Sequence, residues 1–395
     1  MLYPGHRAGH NAAMALAETL SPSIGPRADP ETGATLTVDL DAVEANWRAL
    51  VRHLITVECA AVVKANAYGL GLEPVTTKLA AAGCTTFFVA NIVEARRARS
   101  CAPQAAIYVL NGFAPEAANA FVELDVRPVI NSMTELAEWD AFVAARNWRG
   151  GAALHVDTGM NRLGISEAEA AALAARVQTE NHGITLLMSH LACAEIVGHA
   201  LNAGQIKAFR EIRSLYSGVP ASLANSAGIF LGDVAVFDIA RPGAALYGIN
   251  PTPTRPNPMR GVVELTGRIL QVRNVDRGEA VGYGAAWTAK RDSRLAVAAL
   301  GYADGLLRAA SGTDGARGGA AIIAGKLCPF AGRISMDLVC LDVTELADGI
   351  VQRGDAATFI GEGIGVDDVA LAAGTIGYEI LTRLGPRCRL VYRGA

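Results

Sequence analysis

From residue 34 onward, short apolar runs rich in β-branched and aromatic residues alternate with longer stretches rich in Ala, Leu, Glu and Arg. A strand period switching repeatedly to a helical one is the mark of parallel βαβ units. Eight runs qualify as strands: 60–63, 87–90, 106–110, 127–130, 153–156, 185–189, 221–224 and 237–240. The intervening stretches predict helices such as 94–100, 134–145, 167–179 and 203–215, the last three with apolar residues recurring three and four positions apart. Eight units in about two hundred residues predict a closed (β/α)8 barrel of TIM type rather than an open doubly wound sheet. No Gly-x-Gly-x-x-Gly follows the first run, which weighs against a Rossmann-like alternative.

The pattern breaks at 250–258, where four prolines rule out a helix or a central strand. Beyond it the runs 262–275, 294–299, 320–323, 338–343 and 357–360 are spaced by Gly and Asp turns, with little helical periodicity before Asp367, and 390–392 closes the series. The expected fold class is therefore α/β: an N-terminal (β/α)8 barrel over 34–250, a Pro-rich linker over 251–261 and a mostly β C-terminal domain over 262–395. Residues 1–33 read as a poorly ordered leader, because Glu18 ends the apolar stretch 12–17 too early for a secretory core.

With 51% hydrophobic and 18% charged residues and a net charge of −3, the chain of 395 residues is neither disordered nor a strongly cationic nucleic-acid binder. No apolar run reaches the roughly 18 residues of a membrane-spanning helix. Seven cysteines without a CxxC pair predict a reducing, cytoplasmic setting with neither a disulfide framework nor structural zinc.

Barrel chemistry collects at the C-terminal strand ends. There the sequence places Lys64, His155 with Arg162 shortly after it, His190, Asn225-Ser226 and Arg241-Pro242-Gly243. Lys64 is one of only five lysines in a chain that otherwise uses arginine. An amine can form an imine with an aldehyde where a guanidinium cannot, and burial would lower its pKa. The plain alternative is a strand-end lysine reaching solvent. Ser226, Gly228 and Gly243 suit a phosphate site on the last two loops, unless they are only caps and turn glycines. A lysine with a phosphate cradle points to pyridoxal 5′-phosphate. Arg241 would then meet the pyridine nitrogen and keep it unprotonated, or else form an ordinary ion pair with Asp238.

These residues carry a resemblance. Ala-Val-Val-Lys-Ala-Asn-Ala-Tyr-Gly-Leu-Gly at 61–71, Asp-Thr-Gly-Met-Asn-Arg-Leu-Gly at 157–164, Ser-His-Leu-Ala at 189–192, Asn225-Ser226, Ala-Arg-Pro-Gly-Ala-Ala-Leu-Tyr-Gly at 240–248, Gly-Tyr-Ala-Asp-Gly at 301–305, Gly-Arg-Ile-Ser-Met-Asp at 332–337 and Tyr-Glu-Ile-Leu at 378–381 resemble, in order, the motifs of the alanine racemase family. The resemblance spans about 35–392. It implies a head-to-tail homodimer that interconverts L- and D-alanine, supplying D-alanine for peptidoglycan. Lys64 would carry the cofactor and act as one base, with Tyr302 of the partner subunit as the second. Arg241 would bond the ring nitrogen, and His190 would stack near the ring and link Arg241 to Tyr302. Arg162 would meet the phenolic oxygen and the substrate carboxylate, helped by the Met336 N–H. Tyr68, Ser226, Gly243, Ala244 and Tyr378 would surround the phosphate, with Asn225 beside them.

Racemisation needs two bases because the proton leaves one face of a planar carbanion and returns to the other. A tyrosine with a pKa of about 10 needs a cationic neighbourhood to serve. Without the resemblance, Tyr302 reads as a buried strand-end aromatic with a bonded hydroxyl. One position departs from the family: His155 stands where many relatives carry a lysine that becomes carbamylated. Arg162 must then be held otherwise, by an anion or waters, or His155 is simply a satisfied strand-end histidine. Competing functions are a broader racemase acting on serine or larger amino acids, a fold-related decarboxylase, and a non-catalytic carrier of pyridoxal phosphate.

Overall fold

The computed structural model describes residues 30–395 apart from 147, 149, 181, 182 and 386. The leader expected over 1–33 lies almost wholly outside the described residues.

Strands Ala61–Val62, Thr86–Val89, Ala106–Val109, Arg127–Ile130, Ala152–His155, Ile184–Met188 and Ala221–Ser222 form a parallel sheet in chain order. The eighth, Ile239–Ala240, pairs in parallel with Glu58–Cys59, just ahead of the first. The Arg241 N–H donates to Ala224 O at 2.9 Å and the Ala60 N–H to Ala240 O at 3.0 Å, so the sheet closes into a barrel. Each of the eight expected runs overlaps one of these strands, three of which begin one residue earlier than expected. They read as continuous apolar stretches because both faces are covered: all four residues of Thr86–Val89 and of Ala152–His155 are buried.

The helices pack by the same logic. In Leu40–Leu54, Asp39 caps the start by accepting from the Ala42 N–H at 2.8 Å, and Val43, Trp47, Leu50 and Leu54 form the buried stripe. The Trp47 indole N–H donates to Cys59 O at 3.0 Å and so ties this helix to the barrel.

The second part is a β-sheet built on the long strand Val263–Val275, which pairs antiparallel with Ser293–Ala298 and Ala356–Ile360. One expectation needs correction. The expected barrel bounds of 34–250 take in residues 34–39, but their strand pairs antiparallel with Val263–Val275 and in parallel with Arg389–Arg393. A short apolar run states its strand propensity and not its neighbour, and this one finds neighbours more than 200 residues away. The Pro-rich stretch is irregular and pinned: Asn46 donates to Arg260 O at 3.0 Å and accepts from the Arg260 N–H at 2.8 Å.

Helix Gly377–Arg383 lies against the chain that follows Lys64. Gly69, at φ +87°, comes so near that a Cβ there would lie 2.5 Å from Leu381 O. The Tyr392 hydroxyl donates to Leu70 O at 3.1 Å. The barrel mouth is therefore roofed partly by the C-terminal part. Among the described residues, no helix is long and apolar enough to cross a membrane.

Candidate active site

A cavity of about 910 Å³ opens at the C-terminal strand ends. Its walls include Lys64, Tyr68, Arg162, His190, Asn225, Ser226, Arg241, Gly243, Ala244 and Tyr378, whereas Gly228, expected beside the phosphate, does not line it and donates its N–H to Asn225 Oδ1 at 2.9 Å. Tyr302 and Met336 do not line it.

Lys64 follows the first barrel strand and opens a tight turn. Ala65, Asn66, Ala67 and Tyr68 all have positive φ, between 53° and 56°. Left-handed backbone costs non-glycine residues roughly 1–2 kcal/mol each, so tertiary contacts must hold the turn. Its effect is to place both Lys64 and Tyr68 on the cavity wall. Burial lowers the Lys64 amine below its ordinary range, and Arg162 and Arg241 lower it further, while Glu94 opposes them. A lowered amine is a better nucleophile and base at neutral pH.

Arg241 is 4% exposed. Its guanidinium donates to Ser222 Oγ at 2.5 Å and to Ser189 O at 2.6 Å, and lies 3.4 Å from His190 Nδ1. The ion pair with Asp238 does not form; Asp238 pairs with Arg213 at 3.6 Å. Burial pushes Arg241 down to about 10, which still leaves it charged at neutral pH. Burial and then Arg241 hold His190 well below the ordinary histidine range, so it is neutral.

Ser226 Oγ accepts from the Gly243 N–H at 3.0 Å and the Ala245 N–H at 3.1 Å. With both lone pairs engaged, its O–H is left to donate into the cavity. Gly243 is required by close approach: a Cβ would lie 2.2 Å from the Tyr68 hydroxyl. Tyr68 stacks on Tyr247 at 4.6 Å and tilts toward Tyr378 at 5.9 Å. Ser226, Tyr68 and Tyr378 thus line one cavity beside the loop 243–244, and their hydroxyls are a donor set that fits a phosphate dianion. Lys64 on the same wall supplies the amine that an aldehyde needs. The residues present therefore fit pyridoxal 5′-phosphate. Removing the Ser226 hydroxyl should leave two buried N–H groups unpaired. Ser226→Ala is expected to lose about 1–3 kcal/mol of stability and to bind the cofactor more weakly, as checked by thermal melting and cofactor titration.

His155 lines the cavity with Nδ1 2.8 Å from Asn131 Oδ1. The Asn131 amide donates to Val129 O at 2.7 Å and to Leu110 O at 3.2 Å, so its oxygen accepts and His155 Nδ1 carries the proton. Burial, then Arg241, depresses His155 to about 4. The unfolded histidine, near 6.5, binds a proton first as pH falls, so its stabilising contribution is complete above pH 6.5 and is lost toward about pH 4. Thermal melts across that window should fall less steeply for His155→Gln than for the unaltered protein.

Tyr302 is 42% exposed on the turn Tyr302–Asp304, not a buried strand-end aromatic. The Gly301 N–H donates to Asp304 Oδ2 at 2.8 Å, and Arg387 bridges Asp304 and Asp337 at 3.1 and 2.7 Å. The Ala303 N–H donates to Met336 O at 3.0 Å, so Tyr302 and the 53% exposed Met336 share one surface. Sequence reasoning missed Ser222 and Asn131, which hold Arg241 and His155. Both are small polar residues without a motif of their own, and their roles depend on strand neighbours.

Two family models match, the alanine racemase N-terminal domain over residues 38–251 and the alanine racemase C-terminal domain over 262–392. The chain is 52% identical to an alanine racemase of Methylobacterium sp. (strain 4-46), covering 91% of this chain and 98% of that protein. It is 53% identical to one of Methylobacterium nodulans, covering 90% and 95%. Among solved structures, the alanine racemase of Bartonella henselae with covalently bound pyridoxal phosphate superposes with a TM-score of 0.86 at 38% identity, covering 91% of this chain and 99% of that one. Both parts match in the order in which the chain builds them and across nearly all of the described residues, and the chain therefore belongs to the alanine racemase family.

Proposed function

We propose that the protein interconverts L- and D-alanine with pyridoxal 5′-phosphate, as a cytoplasmic homodimer supplying D-alanine for peptidoglycan. The observation that carries this reading is the single cavity joining a depressed lysine, a phosphate-fitting donor set and a buried guanidinium.

Lys64 would attach the cofactor, with Ser226, Tyr68, Tyr378 and the backbone of 243–244 holding its phosphate. The bound cofactor supplies an electron-accepting ring conjugated to the substrate nitrogen, which acidifies the α-C–H bond. Arg241, held by Ser222 and Ser189, remains charged and would donate toward the ring nitrogen, so that nitrogen stays unprotonated. That restrains the electron sink and favours prompt return of the proton to the α-carbon. Arg162 binds the substrate carboxylate. Lys64 moves the α-proton on its own face, where its lowered basicity suits both directions of transfer.

The opposite face needs a second base, and Tyr302 is exposed beside Met336, where a second copy of the chain could receive it. The Arg387 bridge to Asp304 and Asp337 supports that reading because it holds the presenting turn in shape.

The test is to incubate the cofactor-loaded protein with L-alanine, L-serine and larger L-amino acids in deuterium oxide, then to separate enantiomers and measure α-deuterium. D-alanine carrying deuterium, with much slower serine turnover, is the expected result. Equal turnover of serine would point to a broader racemase, and no deuterium to a non-catalytic carrier.

A further inference from the structure

The left-handed turn 65–68 satisfies part of its own backbone: the Ala67 N–H donates to Val63 O at 2.9 Å and the Gly69 N–H to Ala65 O at 2.8 Å. The Asn66 N–H goes elsewhere. It donates to Glu94 Oε1 at 3.1 Å, while Glu94 Oε2 accepts from the Ala90 N–H at 2.9 Å, at the end of the second barrel strand. Glu94 is 9% exposed and lies in the first turn of helix Ile92–Cys101, whose cap Asn91 accepts from the Glu94 N–H at 3.0 Å. A glutamate at this helical position ordinarily serves its own helix end. Here one oxygen serves that end and the other crosses to the neighbouring βα unit.

Arg97 makes the second tie. Its Nη2 donates to Asn66 Oδ1 at 2.7 Å, and the same guanidinium grips Glu73 through two contacts of 2.6 Å. Asn66 Oδ1 also accepts from the Leu72 N–H at 3.1 Å. Both the backbone and the side chain of Asn66 are thus fastened to the helix of the next unit. Of the four residues in the turn, asparagine is the type that best tolerates left-handed backbone.

We propose that Glu94, assisted by Arg97, is a positioning residue for the cofactor lysine: it locks the left-handed turn and so aims Lys64 and Tyr68 into one cavity. The proposal rests on the reading of that cavity as the pyridoxal phosphate site. A second consequence is electrostatic. Arg162 and Arg241 are the cations that disfavour a positive charge at the Lys64 nitrogen, and Glu94 is the anion that offsets them.

Glu94→Gln tests both roles, because an amide has one acceptor oxygen for the two N–H groups and carries no charge. Three quantities are measured: in the holoenzyme, the cofactor retained after dialysis and the pH midpoint of the visible band of the lysine-bound cofactor, and in the cofactor-free protein, the melting temperature. The variant is expected to retain cofactor about tenfold less well. Its midpoint should move to lower pH, since a positive charge loses its anion, and its melting temperature should stay within a few degrees. Retention and midpoint equal to those of the unaltered protein would overturn the proposal, whatever the melting temperature. If Glu94→Gln does not fold, Arg97→Gln decides. It cuts only the Asn66 side-chain tie and the Glu73 grip, so weakened retention supports the proposal and unchanged retention refutes it. Should the unaltered protein itself carry no cofactor at Lys64, the cavity reading falls and this proposal with it.

Discussion

Replacing Lys64 by alanine is expected to abolish covalent attachment of pyridoxal phosphate and to lower alanine racemisation by at least about 10³-fold. The size of the effect follows from two duties resting on one nitrogen. The amine attaches the cofactor, and once the substrate amine has displaced it, it becomes the local base on its own face. No other lysine can substitute, because none of the remaining four lines the cavity. The phosphate-binding groups are untouched in the variant, so weak non-covalent binding should persist and be displaced by dialysis. A small primary amine in the buffer should restore part of the proton transfer but not the attachment. Chiral chromatography and the visible spectrum read the two losses separately, and a variant that remained yellow and active would refute the assignment.

Tyr302→Phe should behave in the opposite sense for the cofactor. The exposed turn lies outside the cavity of its own chain, so the variant is expected to fold, to retain cofactor and to keep the visible band. Racemisation is expected to drop by about 10²–10⁴-fold, the usual worth of a positioned acid or base. Both directions must fall together, because the two enantiomers are equal in free energy and a catalyst cannot move that equilibrium. If Tyr302 acts across a two-fold interface, co-folding Lys64→Ala with Tyr302→Phe chains rebuilds one intact site in each mixed dimer. Random assortment then restores about a quarter of the unaltered activity. No recovery, with Tyr302→Phe alone inactive, would mean that Tyr302 does not serve the partner's site.

The barrel was legible because its strands are buried on both faces and announce themselves as apolar runs, and because barrel chemistry has a fixed address at the strand ends. That address picks out Lys64, His190, Ser226 and Arg241 without any relative in view. Tyr378 was not legible in this way. It reaches the cavity on a C-terminal helix, and only the family resemblance suggested it. The strand 34–39 is absent from the runs read off the sequence and falls only within the expected barrel bounds, because its neighbours are set by tertiary packing and leave no local trace.

The turn after Lys64 illustrates the deepest limit. Ala-Asn-Ala-Tyr carries no glycine, and its propensities favour ordinary right-handed backbone. Its left-handed course comes from bonds to Glu94 and Arg97, about 30 residues on. Glu94 could have been read as a helix-start residue behind Asn91, but its second bond cannot be inferred from that pattern. Ser222 poses the same difficulty, since a strand serine bonded to a guanidinium 19 residues away looks like any buried hydroxyl.

The most direct check is to reduce the cofactor-loaded protein with borohydride, digest it and locate the cofactor by mass spectrometry. The account predicts one modified peptide, carrying the reduced cofactor on Lys64 and none on Lys78, Lys207, Lys290 or Lys326. A cofactor fixed to any of those four, or to none, would contradict it.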